Sequence, residues 1–170
     1  MSLLFIDLEM AEEGQKEIIQ IGIIEVSWEN EIKREASFFC KPKNSKLTER
    51  ITQLTGITEA DLKKARPIEE VIRTVSKQFS FKNNTVIGWG EDAKILIEEL
   101  KAKGIEFEIP TYVNLAATYK VLMGSKSKIS LEEALKNLGY GEVEIKHNAV
   151  EDAKDLFKTF LALQVKIKND

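Results

Sequence analysis

Three apolar runs open the chain almost without interruption: LLFIDLE (3–9), EIIQIGIIEVSW (17–28) and EIKREASFFCKP (31–42), the last ended by Pro42. The first has no helical period and enough bulky residues for a buried strand, and the other two read in the same way. Only Trp28, Glu29 and Asn30 separate the second run from the third, a gap that suits a hairpin. A chain that begins with three consecutive strands is committed to a sheet, and the rest of it must cover that sheet.

The remainder alternates. KLTERITQLTGIT (46–58) reads as a short helix stopped near Gly56, with Thr58 and Asp61 spaced as a cap. PIEEVIRTVSKQFSF (67–81) carries proline where a helix tolerates it and Ile68, Val71, Ile72, Val75 and Phe79 at helical spacing. TVIGW (85–89) is a fourth strand, EDAKILIEELKAKG (91–104) a helix closed by glycine, and TYVNL (111–115) a fifth strand. Helices then take over: LAATYKVLMG (115–124), SLEEALKNLG (130–139), with Ser130 and Glu133 as a capping box and Gly139 as a stop, and HNAVEDAKDLFKTFLALQVKIK (147–168). The pattern is α/β, a mixed five-stranded sheet flanked by helices. No linker or compositional break divides it, so residues 1–170 read as one domain.

Composition narrows the class. With 170 residues, 43% of them hydrophobic and 31% charged, the chain has enough apolar mass for its own core and is not a disordered or collagen-like sequence. It has one cysteine, so no intramolecular disulfide forms. Cys40 follows Phe38 and Phe39 and reads as a small buried hydrophobe in a reducing compartment. The opening MSLLFIDLEM meets two carboxylates and lacks a basic lead, unlike a signal peptide, and no apolar stretch approaches the ~20 residues of a membrane span. These features place the chain in the cytoplasm and off the membrane. The net charge of −3 argues against a broad basic face that grips long duplex. Nucleic acid stays open, because acids that bind divalent cations present a locally cationic surface to a phosphate.

Asp7 and Glu9 are two apart, so in a strand both carboxylates project from one face, at the strand end where α/β sheets build their sites. They are equally consistent with a strand that ends in solvent. Asp92 opens a helix after the fourth strand, where capping and the helix dipole favour an acid anyway. Projected at 100° per residue, Asp152 lies at the margin of the last helix's apolar stripe, beside Ala149 and Leu156, with Lys154, Asp155 and Lys158 on the solvated side. His147, the one histidine, lies in the entry to that helix. Four gathered carboxylates would repel one another and raise each other's pKa, a difficulty that Mg²⁺ or Mn²⁺ removes through oxygen ligation. Two such ions stabilise the attacking and leaving oxygens of an in-line phosphoryl displacement, and a histidine titrating near neutrality can act as general base.

FIDLE (5–9), VIGWGEDAKIL (86–96) and HNAVEDA (147–153) resemble, in order and spacing, the three exonuclease motifs of the DEDDh 3′→5′ exonucleases, which have a ribonuclease H-like fold. EIIQIGIIEV (17–26), QLTGIT (53–58) and SLEEALKNLGY (130–140) resemble segments between those motifs, so the likeness covers almost the whole chain. His147 precedes Asp152 by five positions, as in the histidine branch of the family; the tyrosine branch uses four. Trp89, Gly90 and Glu91 replace the histidine, asparagine and phenylalanine found before the second motif's aspartate in many members. In this the chain is similar to the enhancer-of-RNAi-like and sporulation-inhibitor-like subgroup, whereas DLEM (7–10) resembles oligoribonucleases.

The resemblance implies that Asp7, Glu9, Asp92 and Asp152 hold two ions, Mg²⁺ or Mn²⁺, with Asp7 as the bridge and Glu9 taking part in catalysis, and that His147 activates the water. It implies that Leu8, Met10, Leu54 and Trp89 lie near the terminal nucleoside. The expected activity is release of nucleoside 5′-monophosphates from single-stranded 3′ ends, RNA before DNA. The competing expectation is a catalytically silent module that binds nucleic acid or protein on the same fold. A dinucleotide binder fits less well, since DLEMAEEG (7–14) lacks a glycine-rich turn. CKPKNSKLTER (40–50) and GSKSK (124–128) are short cationic stretches, either guides for a nucleic-acid backbone or solvated loops. A homodimer is open, with no segment marking an interface.

Overall fold

The computed structural model describes residues 1–11, 17–141 and 147–169. Residues 12–14 of the DLEMAEEG stretch lie outside them. The order is β1 (Leu3–Met10), β2 (Ile18–Val26), β3 (Ile32–Phe39), α1 (Glu49–Thr55), α2 (Glu59–Lys64), α3 (Ile68–Gln78), β4 (Thr85–Gly88), α4 (Asp92–Ala102), β5 (Tyr112–Asn114), α5 (Leu115–Leu122), α6 (Leu131–Leu135) and α7 (Ala149–Asn169). The five strands form one mixed sheet in the order β3-β2-β1-β4-β5. β1, β2 and β3 pair antiparallel, and β4 and β5 continue from β1 in parallel. The expected α/β sheet is the one observed, and the ribonuclease H-like fold with it.

Side-chain alternation along β1 assigns the two faces. Leu4, Ile6 and Leu8 join a cluster with Ile68, Val71, Ile72 and Val75 of α3 and Leu96 and Leu100 of α4. Leu3 and Phe5 point the other way, into Leu115 and Tyr119 of α5, Leu131 of α6, and Leu156 and Phe157 of α7. Phe5 packs its ring 5.1 Å from Phe157 and 5.4 Å from Phe160. Asp7 and Glu9 continue the odd-numbered series, so a period of two carries them to the face that α7 covers.

The stop and the cap expected in 46–61 are both present: Gly56 (φ 72°) ends α1, and Thr58 caps α2 through a reciprocal box with Asp61. Two other details depart from the sequence reading. The helix expected over 130–139 narrows to α6, after which the backbone widens and turns left-handed at Gly139 (φ 93°). Of its expected capping box, the Ser130 half is present, accepting the Glu133 N–H at 3.1 Å. Asp155, expected in solvent, is buried with its carboxylate 2.6 Å from Lys158 Nζ. α7 packs against the sheet and also against α6, so its covered arc is wider than its apolar stripe.

Candidate active site

Strand lengths create the site. The last β1–β4 pair is Phe5–Ile87, so β1 runs two turns of its pleat past its parallel neighbour and carries Asp7 and Glu9 over the end of β4. The β1–β2 register shifts between Glu9 and Met10, an irregularity of the kind that re-aims side chains beside active sites. β4 stops at Gly88, and the chain turns through Gly90 (φ 106°) into α4, whose first residue is Asp92.

Two glycines let the surrounding elements close in. A methyl at Gly22, opposite Asp7 in β2, would overlap the backbone of Ala149 and Val150, so the first turn of α7 rests directly on the sheet there. Gln20, opposite Glu9 and fully buried, clamps the same turn: its Oε1 accepts the Ala149 N–H at 3.1 Å and its Nε2 donates to Ser37 Oγ at 2.9 Å. Asp152 follows one turn along α7. His147 precedes the helix with a left-handed backbone (φ 46°), which histidine adopts more readily than most residues. On the other flank, a Cβ at Gly88 would stand 2.8 Å from Asp92 Oδ2 and closer still to the Tyr112 hydroxyl. That hydroxyl donates to Gly90 O at 3.0 Å and so fixes the turn that delivers Asp92.

The result is a cavity of about 230 Å³ lined by Asp7, Leu8, Glu9, Trp89, His147 and Asp152, with Ser130–Glu132 along one rim. Glu9, His147 and Asp152 each offer a ligand atom within 4.8 Å of the others. Asp92 reaches the same group of acids from behind Gly88 and raises the pKa of both Asp7 and Glu9. Burial first, then Asp92, Glu9 and Asp152, push the Asp7 carboxyl well above the ordinary range. Burial, Asp152 and Asp92 push Glu9 up to about 8. Burial lifts Asp92 to about 7 against the N–H groups of Trp89 and its own backbone, and burial with Asp155 and Glu151 lifts Asp152 to about 7. Asp92 Oδ2 and Asp152 Oδ1 are buried and accept no hydrogen bond from the described residues. Buried carboxylate oxygens without donors are costly, and hard divalent cations are the partners that suit oxygen-only donors.

All five sequence-predicted chemical residues therefore converge on one place. Leu8 and Trp89 line the cavity, whereas Met10 is half-buried and Leu54 exposed on α1, and neither lines it. Gln20, Gly22, Gly88 and Tyr112 were given no role from sequence. The signal for the first two was present as a polar residue and a glycine, two apart, inside an otherwise apolar strand.

An RNase T-type exonuclease family model matches residues 4–160. The probable 3′-5′ exonuclease KapD of Bacillus subtilis is 29% identical over 170 residues, covering 94% of this chain and 82% of KapD. The nuclease domain of 3′hExo, a DEDDh family member bound to rAMP, superposes with a TM-score of 0.83 at 20% identity, over 97% of this chain and 92% of that one. E. coli Exonuclease I in complex with a dA16 oligonucleotide superposes with a TM-score of 0.78 at 14% identity, over 96% of this chain and 41% of that one.

Proposed function

Because the chain belongs to the DEDDh family of 3′→5′ exonucleases, we propose that it releases nucleoside 5′-monophosphates from single-stranded 3′ ends, RNA in preference to DNA. The observation that carries this reading is the set of four converging carboxylates, two with buried oxygens that accept no hydrogen bond from the described residues, beside one imidazole. The family is divalent-metal dependent, and the donor set here fits that dependence. Asp7, Glu9, Asp92 and Asp152 would hold two ions, Mg²⁺ or Mn²⁺. When bound, such ions stabilise charge on the attacking and leaving oxygens of the displacement.

The protein's own groups do the rest. His147 takes a proton from the attacking water at a ring nitrogen, a step the acids cannot perform once they are committed to cations. The water oxygen bonds to phosphorus, the bond from phosphorus to the upstream 3′ oxygen breaks, that oxygen takes up a proton from solvent, and the products are a nucleoside 5′-monophosphate and a strand shorter by one with a 3′ hydroxyl. Leu8 and Trp89 offer apolar surface to the terminal nucleoside, a kind of contact that tolerates any base. The preference for RNA rests on the rAMP held by the fold neighbour 3′hExo, and the dA16 bound to Exonuclease I makes DNA the second substrate. The lone buried Cys40 suits work in a reducing compartment, the cytoplasm.

A time course with 5′-labelled single-stranded RNA and DNA of matched sequence in Mg²⁺ or Mn²⁺, with EDTA as control, tests the proposal. The expected result is a metal-dependent ladder shortening from the 3′ end, faster for RNA. Protein that binds Mn²⁺ but shortens neither strand would sink it.

A further inference from the structure

Four helices of this chain carry their own caps. Thr48, Thr58, Asn114 and Ser130 stand in extended backbone just before α1, α2, α5 and α6, and each side chain accepts an N–H from the turn it precedes. α4, the helix that opens on Asp92, is built differently. Glu91 precedes it with φ −111° and ψ 19°, not in the extended conformation of those caps, and its side chain turns to Lys94 at 3.2 Å instead of capping. The first N–H groups of α4 therefore need an acceptor from elsewhere.

That acceptor comes from the neighbouring strand. Tyr112 of β5 packs on the cluster that holds Leu96 and Leu100 of α4. Burial, then the Asp92 carboxyl, keep its hydroxyl protonated, and the N–H groups of Ala93 and Asp92 bear on its oxygen. The proton goes to Gly90 O at 3.0 Å, so one hydroxyl ties the turn at Gly90 to the start of the helix. The same arrangement keeps Asp92 open. Its Oδ2 and the Tyr112 hydroxyl both border the space above Gly88, yet Oδ2 accepts no hydrogen bond from the described residues. A phenol has one proton to give; placed on Gly90 O, it leaves Oδ2 for a cation.

We infer that Tyr112 is a positioning residue for Asp92: its hydroxyl takes the place of a cap on α4, aims the Asp92 carboxylate at the other acids and leaves Oδ2 for a divalent ion. The role rests on the metal-dependent exonuclease reading, in which Asp92 is a ligand. It acts on one ligand of the set, so its signature is metal affinity and not the rate of the loaded enzyme.

Mn²⁺ titration of Y112F, read by calorimetry and by the EPR signal of free Mn²⁺, tests it, with melting curves in EDTA alongside. The variant deletes one oxygen and keeps the ring. Groups that orient a metal ligand are commonly worth 10-fold or more, so Y112F should bind Mn²⁺ about 10-fold more weakly and cleave within about 2-fold of wild type once Mn²⁺ saturates. Y119F removes a phenol oxygen from another buried tyrosine and should keep the wild-type affinity. G88A places a carbon 2.8 Å from Asp92 Oδ2 and closer still to the hydroxyl, so it should weaken Mn²⁺ binding by a second route. Wild-type affinity in Y112F, or in G88A if Y112F melts below the assay temperature, overturns the role. An equal loss in Y119F, or a rate deficit in Y112F that saturating Mn²⁺ does not restore, overturns it too. A wild-type protein that binds no Mn²⁺ overturns the metal site and this role together. The affinity loss in Y112F from a protein that cleaves no strand upholds the role and overturns the exonuclease reading alone.

Discussion

Two groups of buried or half-buried acids meet the sheet from opposite faces, and they are resolved in opposite ways. Glu17 receives N–H donors from Lys43 at 2.8 Å and Asn44 at 2.9 Å, a further one from Ser45, and the Lys103 ammonium at 3.5 Å. Burial alone would raise its pKa, but these donors overcome it and bring the carboxyl down to about 2. Glu99 stands between the extremes: it accepts the Ile18 N–H at 2.7 Å and has Lys103 at 3.8 Å, yet burial still lifts it to about 7. Around Asp7, among the described residues, the charges that act on it are further carboxylates, those of Asp92, Glu9 and Asp152. Burial is common to both groups; the supply of donors is what differs. Acids that the fold has answered hold the 43–45 loop and β2 in place, and acids it has left unanswered are free to take cations.

Breaking the unanswered group should have the largest effect. D7N removes one acid of the proposed metal set, and its rate should fall on the order of 10⁴-fold with Mn²⁺ heat lost in calorimetry. The same variant should melt higher than wild type in EDTA at pH 8, because a buried charge has gone; a lower melting temperature there would contradict the electrostatic account. H147A should slow turnover about 10³-fold while Mn²⁺ affinity stays near wild type. Loss of Mn²⁺ binding instead would make His147 a ligand, which its place within 4.8 Å of Glu9 and Asp152 permits.

The metal-free protein supplies a pH signature of the same contrast. Glu9, Asp92 and Asp152 keep protons up to about pH 7 or 8 in the fold, but lose them near pH 4 to 4.5 when unfolded. The folded state therefore binds more protons through that window, and stability falls as pH rises from about 4.5 to about 8. Melting curves in EDTA should show the decline and saturating Mn²⁺ should abolish it; a metal-free melting temperature flat over that range in wild type would refute the shifts. Glu17 has the opposite sign, since its contribution is present above about pH 4.5 and is lost as pH falls towards 2. E17Q, the smallest of these effects, should cost about 1.5 to 3 kcal/mol of stability in denaturant titration and leave the rate per folded molecule unchanged.

Much of this was legible in the sequence for a physical reason. Strand alternation places Asp7 and Glu9 on one face, and helix periodicity places Asp152 at a buried margin, so local periods alone bring three acids to surfaces that can meet. What the periods do not encode is contact across the chain. The Gln20–Ala149 hydrogen bond spans 129 positions, and the width of the arc that buries Asp155 depends on α6 lying alongside. The split between α1 and α2 was present in the residues, since Gly56 and the Thr58–Asp61 pair are a stop and a start separated by one residue. Leu54, matched by position to a nucleoside contact, is exposed on α1 and does not line the cavity, a placement that local periods do not encode.

Gly22 contributes to the chemistry through what it lacks. A scan that trims side chains one at a time would find nothing to remove there, and a map of the site drawn from such a scan would omit the residue on which the placement of α7 depends. Adding one carbon is the informative change: G22A would lift the turn that carries Ala149, and His147 and Asp152 would move off β1 together. Mutational tolerance in this protein is therefore lopsided, with some of its most sensitive positions visible only to substitutions that enlarge.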